Sequence, residues 1–446
     1  MVGALRQHPA SLFPCEAPHA DPPQEAAIKS PHFAHQGSFA SANAMRSIAR
    51  LLGDHDQAVR KRMDNYRSID ERGAADLAEA ALTRAFGVPA KLLNIEPIGR
   101  EDRRNLILRA QAQLGQTSRP VIVKTTRLTS FCSTSPTVFA DSGLAKEWVA
   151  RQILCGNEPG ECPLLLAGDA ENGLIVFSDF GAHLPSLVKP LLEGTADEAE
   201  SAMTAYARAM AELHVATLNC QQRHADAVAS TFPKSIAPNL VGATWLDQPP
   251  PALARFQFPE DDLQTIRSRL VNPGEWLALV HADGCPDNLL LDNGVARLID
   301  FEFSAPGHML LDAVYWRIGF PSCWCAGVIP EDVAQRIECV YRNELAAVFP
   351  VALSDHIFER EITLVTVARA LFSLTWMLNQ ALDEDNIWGT ATRRSRILWY
   401  LKAAIKACDR SGLFPQSGVV MAAWLAHLSK IWPDSKPLAK YPAFQT

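Results

Sequence analysis

Residues His281 to Glu302 hold the side chains with the clearest chemistry in the chain: His281-Ala-Asp283-Gly-Cys-Pro-Asp-Asn288, then Leu289-Leu-Leu-Asp-Asn-Gly, then Val295-Ala-Arg-Leu-Ile-Asp300-Phe-Glu302. An acid and an amide share one loop, and a second acid follows two short apolar runs joined by Asn293-Gly294. Asn-Gly between apolar runs is a strong hairpin signal, and such a hairpin returns Asp300 to the side of Asp283 and Asn288. Phosphoryl transfer uses this combination. One carboxylate orients the attacking hydroxyl, while an amide oxygen and a second carboxylate hold Mg²⁺ on the nucleotide phosphates. The five-residue step from Asp283 to Asn288 is that of the kinase catalytic loop. A loop Asp and Asn that only cap turns would show the same two residues without the hairpin and its closing acid.

These groups need a base that contacts phosphate and an acid that holds it. The run Pro120-Val-Ile-Val-Lys124-Thr reads as an apolar, β-branched strand ending in lysine. Glu147 lies on a helix expected over Ala140–Leu154, and it is favoured over Glu158 and Glu161, which Gly and Pro surround. Upstream, Ile95 to Leu108 has the form of a phosphate-covering hairpin with a single glycine, Gly99. Its Arg100, Arg103 and Arg104 either face phosphate or form a solvated turn.

With these motifs in place, the chain resembles the aminoglycoside phosphotransferase and choline kinase-like family, the small-molecule branch of the protein-kinase-like fold. The resemblance runs from about Leu92 to Trp316. It covers Gly99 to Asn105, Lys124, Glu147, the hinge Ile175 to Gly181, Glu212-Leu-His214, the His281 to Asn288 loop, Ile299-Asp300-Phe301 and Asp312. It implies Asp283 as catalytic base, Asn288 and Asp300 as Mg²⁺ ligands, Lys124 on the phosphates and Glu147 paired with it. Gly99, Asn105 and the hinge residues Phe177, Ser178, Asp179 and Phe180 would meet the nucleotide, ATP or GTP. His281 and Asp312 would support the catalytic loop. Three departures stand out: Ala282 where the family usually has Gly, Glu302 where protein kinases have Gly, and Gly307-His308-Met309 in place of Gly-Asp-Pro. None removes a reacting group.

The implied architecture is α+β and bilobal: a small lobe with an antiparallel sheet and one helix, and a large, mostly helical lobe. Residues 1–44, rich in Pro, His, Ala and Ser without period, are expected to be a disordered leader, unless translation starts at Met45. Helical patterning over 45–88 and the nucleotide-binding lobe would fill 45–181, with strands near 92–98, 105–112, 120–126 and 174–179. Residues 182–446 would form the helical lobe, with helices expected over Leu184–Glu193 and Ala196–Leu218, an insertion over 221–275 and near-continuous helix after Asp312.

The 446 residues are 48% hydrophobic, enough for a large core. A net charge of −7 and no long basic tract argue against nucleic acid as partner. The most apolar stretch, Ile362–Leu382, carries Arg369 near its middle and reads as a buried helix, so no membrane partner is expected. Ten scattered cysteines show no zinc spacing. They are expected to be reduced, with Cys285 structural, which together with nucleotide chemistry points to the cytoplasm. The acceptor is expected to be a small hydroxylated molecule. It would be cationic if Asp383-Glu384-Asp385 lines its pocket, although a solvated helix end is the commoner fate of such a cluster. Trp316, Phe320, Trp324 and Trp376 are candidates for pocket or core. A protein kinase is disfavoured by the missing Gly hinge and Ala-Pro-Glu segment, and a silent nucleotide-binding protein by the intact Lys124, Asp283, Asn288 and Asp300. The oligomeric state is not readable from the sequence.

Overall fold

The computed structural model describes residues 69–98, 104–127, 131–154, 162–236, 239–246 and 257–445. All belong to a unit that spans Phe39–Thr446. The leader 1–44, Met45, Gly99, Arg100 and Arg103 lie outside the described residues.

The first lobe is a five-stranded antiparallel sheet of order β1-β2-β3-β5-β4, from β1 (Ala90–Pro97), β2 (Asn105–Leu114), β3 (Thr117–Thr126), β4 (Leu165–Asp169) and β5 (Leu174–Ser178). The sequence reading missed β4, whose Gly168-Asp169 end weakens its strand signal. Alternation is clear in β2, where Leu106, Leu108, Ala110, Ala112 and Leu114 turn to a buried face. Helix α1 (Glu71–Phe86) packs on that core through Ala74, Ala75, Ala78, Ala81 and Leu82. Its ends follow from local chemistry. The Asp70 carboxylate accepts from Gly73 N at 2.7 Å, and Gly87 takes φ 68° at the C-terminus. Helix α2 (Gly143–Leu154) buries Leu144, Trp148 and Val149 in a second cluster with Ile175 and Phe177 of β5.

The second lobe is built around α3 (Ala196–Ala216), α4 (Gln221–Thr231), α5 (Glu260–Val271), α6 (Glu331–Ala346), α7 (Asp355–Asp383), α8 (Arg393–Ser411) and α9 (Pro415–Ile431). Thr195 and Glu198 form a reciprocal capping box at the start of α3. Helix α7 is long and apolar enough to cross a membrane by length and composition, with 78% of its most apolar window buried within the protein. Arg369 in its middle is buried and paid for by contacts inside the lobe: Nη1 donates to Tyr315 OH at 2.9 Å and Nη2 to Leu311 O at 2.7 Å.

Three expectations need correction. Over Leu184–Glu193 only Val188–Glu193 is helical. Besides the expected hairpin of β7 (Leu289–Asp292) with β8 (Val295–Leu298), the C-terminal half holds short strands that were not expected: β6 (Leu277–Val280) pairs antiparallel with β9 (Ala305–His308), and β10 (Ile387–Trp388) with β11 (Ala391–Thr392). The cysteines are not all reduced: Cys285 and Cys323 are disulfide-bonded, and Cys339 is in a disulfide as well. Two cysteines 38 positions apart in chain carry no pairing signal without the fold.

Candidate active site

The β6/β9 and β7/β8 pairs frame the loop that carries Asp283. Leaving β6, the chain reaches His281 and Ala282, whose backbone N–H groups donate to Asp312 Oδ2 at 2.7 Å and Oδ1 at 3.0 Å. The His214 ring lies 3.3 Å from Asp312 Oδ2 through Nε2, and its Nδ1 lies 2.8 Å from Tyr341 OH. Burial alone would push the Asp312 carboxyl up. Its hydrogen bond and charge interaction with His214, and its proximity to His281, hold it below the usual range. Asp312 therefore fixes the base of the loop from inside the second lobe. His281 Nε2 donates to Ile299 O at 2.9 Å, tying the loop to the approach to Asp300. Burial lowers the His281 pKa, so the ring stays neutral and can hold that one proton on Nε2.

Ala282 has φ 65°, in the left-handed region. A side chain costs about 1 kcal/mol in that conformation, a cost that the glycine expected there from the resemblance would avoid. Asp283 follows. Asn288 Nδ2 donates to both Asp283 Oδ2 and Asp283 O, each at 3.0 Å. That fork fixes the carboxylate and leaves the amide oxygen of Asn288 for another partner. Burial first, then the nearby Asp287, Asp300 and Glu302 carboxylates, raise the Asp283 pKa to about 7. A carboxylate poised near neutrality is suited to take a proton from an acceptor hydroxyl. Asn293 and Gly294 both take positive φ, 48° and 84°, in the turn between β7 and β8, and the chain returns to Asp300.

Lys124 sits on the central strand β3, flanked by Ile107 of β2 and Ile175 of β5. Its Nζ lies 2.6 Å from Glu147 Oε2, 2.6 Å from Asp300 Oδ1 and 3.6 Å from Glu302 Oε2. Glu147 Oε1 accepts from Phe301 N at 3.3 Å and lies 3.6 Å from Arg151 Nη2. The Arg151 guanidinium packs over the Phe301 ring, 4.3 Å from its centroid. Three segments, β3, α2 and the Asp300–Glu302 stretch, thus meet at one ammonium group, with 176 positions of chain between Lys124 and Asp300.

Glu302, which the sequence reading passed over as a replacement for a hinge glycine, makes an ion pair of its own. Its Oε1 lies 2.5 Å from Arg104 Nη2, so it joins the β1–β2 connection to the residues beside Lys124. Gly143 permits this: a Cβ there would meet Glu302 Cβ at 2.8 Å and Arg104 Nη2 at 3.1 Å. Arg104 is therefore directed toward the residues beside Lys124.

The hinge side chains are engaged within the protein. Phe177 is buried in the α2 cluster. Ser178 Oγ accepts from Leu164 N at 2.8 Å. The Asp179 carboxylate pairs with Arg109 at 2.7 Å and accepts from Gly181 N at 3.0 Å. These side chains shape the strand end and leave any base contact to the backbone. Phe180 lies under the Arg297 guanidinium, 5.4 Å from its ring centroid. Asn105 is buried at the start of β2, opposite Thr126.

Trp316 and Phe320 are fully buried core residues. Trp324 is different: its Nε1 donates to Asp287 Oδ2 at 2.9 Å, beside the catalytic loop. Trp376 packs edge-on against Trp388, with centroids 6.2 Å apart. Asp383 and Glu384 are exposed at the end of α7, and Asp385 accepts from Arg394 N at 3.0 Å.

A model of the phosphotransferase enzyme family matches residues 110–331. No curated protein matches the chain. Among solved structures, choline kinase from Cryptosporidium parvum Iowa II aligns at 12% identity with a TM-score of 0.42, covering 75% of this chain and 93% of that one. A choline/ethanolamine kinase family protein from Mesorhizobium loti aligns at 15% identity and TM-score 0.40, covering 80% and 98%. A thermostable mutant aminoglycoside phosphotransferase, in ternary complex with ADP and hygromycin B, aligns at 13% identity and TM-score 0.36, covering 75% and 98%. Likenesses this distant carry no part of the assignment, which rests on the family model. Lys124, Glu147, Asp283, Asn288, Asp300 and Asp312 all fall inside the matched span, and over that span the chain matches the phosphotransferase enzyme family.

Proposed function

We propose that the protein transfers the γ-phosphate of ATP or GTP to a hydroxyl group of a small molecule, with Mg²⁺ as cofactor. The observation that carries this reading is the convergence on Lys124: Glu147 and Asp300 each lie 2.6 Å from Nζ, next to a catalytic loop whose Asp283 is oriented by Asn288. In this reading Lys124 neutralises phosphate oxygens, Glu147 holds it in place, and Asp283 orients the acceptor hydroxyl and takes its proton. The residues fit a hard cation. Asn288 donates through Nδ2, leaving its Oδ1, and Asp300 uses Oδ1 on Lys124, leaving its Oδ2. Two oxygen donors of this kind suit Mg²⁺, which when bound would screen the phosphate charge.

A small acceptor follows from the chain after Asp300. Only twelve positions separate it from Asp312, and four of them form β9, paired to β6. That leaves no long segment on which a peptide substrate could dock. The Asp383–Asp385 cluster, exposed at Asp383 and Glu384 and with Asp385 accepting from Arg394 N, gives no support for a cationic acceptor. The cytoplasm is proposed as the compartment because the reaction draws on nucleoside triphosphate.

The test is calorimetry of nucleotide binding with and without Mg²⁺ for wild type and Asp300→Ala. Wild type should bind ATP or GTP in a metal-dependent way, and Asp300→Ala should lose that dependence. Unchanged Mg-nucleotide affinity in the variant would remove Asp300 from the metal site.

A further inference from the structure

The disulfide lies in the catalytic loop itself. Cys285 is two residues after Asp283 and three before Asn288, and it is bonded to Cys323, with the two Cα atoms 5.8 Å apart. A carboxylate oxygen of Asp283 and both sulfur atoms lie within 4.8 Å of one another. The far end of the bond belongs to the segment Phe320–Ala326. The next residue, Trp324, donates from Nε1 to Asp287 in the same catalytic loop, at 2.9 Å. Its carbonyl accepts from Thr390 N at 2.8 Å, in the β10–β11 turn. Arg396, wholly buried, donates to Pro321 O at 2.8 Å and to Cys323 O and Trp388 O at 2.5 Å each. A covalent bond thus links the loop carrying the base to a wall made of Phe320–Ala326 and the Trp388–Ala391 turn.

We propose that Cys285–Cys323 is a redox-modification site: opening the bond with a dithiol releases the catalytic loop from this wall and lowers turnover. The inference rests on the phosphotransfer reading above. Both ends of the bond are held independently. Asp312 fixes the start of the catalytic loop through His281 N and Ala282 N, and Arg396 fixes the wall. The fold therefore survives reduction, and what changes is the placement of the base relative to the wall, since two thiols in contact need more room than a bonded pair. A shift of about 1 Å at a reacting group can cost on the order of 10²-fold in rate. The compartment argues in the same direction. A nucleotide-dependent reaction runs where thiol pools keep proteins reduced, and bonds formed there are usually transient and redox-sensing. The exchange is a two-electron step. A dithiol thiolate attacks one sulfur, with Cys285, 7% exposed, more open than Cys323 at 2%. A mixed disulfide forms with departure of the other thiolate, which takes up a proton. The second thiol of the reagent then displaces the protein sulfur and leaves as a cyclic disulfide.

The experiment uses the full chain in three states (as purified, treated with dithiothreitol, and reoxidised with oxidised dithiol) and the double variant Cys285→Ser/Cys323→Ser. Alkylation and peptide mass mapping report the bond. Basal Mg-ATP hydrolysis, with water as acceptor, reports turnover, and calorimetry reports Mg-ATP affinity. Hydrogen exchange reports residues 282–288 and 320–326. Reduction should lower hydrolysis at least about tenfold, leave Mg-ATP affinity within about twofold, speed exchange in both segments and reverse on reoxidation. The double variant should match the reduced protein and ignore dithiothreitol; this separates the effect from the disulfide at Cys339, which the reagent also reaches. If the double variant does not fold, the single variant Cys323→Ser supplies the comparison, since it also opens this bond and leaves the disulfide at Cys339 intact. Full alkylation of both cysteines without reductant, unchanged exchange in both segments on reduction, or a double variant with wild-type hydrolysis overturns the proposal. A protein that binds no Mg-ATP in any state defeats the phosphotransfer reading, and the exchange measurement then decides this one separately.

Discussion

Replacing Asp283 by Asn should make the protein more stable and nearly inactive. The Asp283 carboxyl is raised from its usual 3.8 to about 7 by burial and then by Asp287, Asp300 and Glu302. The folded state therefore binds this proton more tightly than the unfolded chain does. The resulting stability is fully present below about pH 3.8, shrinks as pH rises, and is lost once pH passes about 7. At pH 8 the charged form costs up to about 4 kcal/mol at 1.4 kcal/mol per pKa unit. Water reaching this partly exposed loop screens that to about 2 kcal/mol. Asn carries no charge, and its side-chain oxygen can still accept from Asn288 Nδ2, so the variant avoids this cost without orphaning its neighbour. In metal-free buffer at pH 8 its melting temperature should rise by about 2–5 °C, the scale set by the entropy of unfolding of a chain this large. At pH 5 the rise should be less than half of that. Acceptor turnover should fall about 10²–10⁴-fold, the usual loss of a general base. Scanning calorimetry with EDTA at the two pH values, beside a turnover assay, reads all three effects. A variant that melts lower at pH 8, or whose gain is equal at both pH values, would refute the electrostatic account of Asp283 even if turnover is lost.

Two further substitutions probe the supports of the site. Asp312→Ala removes the acceptor of His281 N and Ala282 N and a partner of His214, all buried; it should cost about 3–5 kcal/mol in urea unfolding, and a loss under about 1 kcal/mol would deny it the bracing role. Glu302→Gln breaks the ion pair with Arg104 and removes one carboxylate beside Lys124; Mg-nucleotide affinity should change by at least about threefold with stability shifted by less than about 1 kcal/mol, and Arg104→Gln should act on the same step. Unchanged nucleotide affinity in both variants, by titration calorimetry, would leave that pair a surface contact.

The parts legible in the sequence are those encoded by short spacing. The loop from His281 to Asn288 and the Asn293-Gly294 turn have their polar residues at fixed offsets between apolar runs, so local geometry alone brings Asp300 back. Lys124 and Glu147 were legible because each sits on an element whose period is plain. What stayed hidden depends on residues far apart in the chain. Glu302 looked like the absence of a glycine until Arg104, almost 200 positions earlier, was found against it. Cys285 looked like a lone structural cysteine because its partner follows a turn that only packing fixes. Trp324 reads from the sequence as pocket or core, and nothing in its spacing shows that its indole donates to Asp287, in the loop that carries Asp283. At the hinge, the resemblance brings the backbone of Phe177 to Phe180 to the nucleotide, and the side chains of Ser178 and Asp179 have partners within the protein, Leu164 N and Arg109, that no local spacing announces.

Ala282 shows why a departure from a family pattern need not weaken a site. A side chain at φ 65° carries a cost of about 1 kcal/mol that glycine avoids. Here that backbone is held by two N–H groups aimed at one buried carboxylate, each worth more than the strain because a charged acceptor strengthens the bond to about 1.5–3 kcal/mol. Asp300, also at positive φ 60°, is held in the same manner by Lys124 on one side and by the Phe301 N–H on Glu147 on the other. One strained residue directly precedes Asp283, and the other is Asp300 itself. Strain persists where surrounding contacts over-determine the backbone, and here those contacts are the ones that aim Asp283 and Asp300. The left-handed backbone at positions 282 and 300 is thus part of how the carboxylates are positioned, and the alanine is tolerated because Asp312 makes that conformation compulsory.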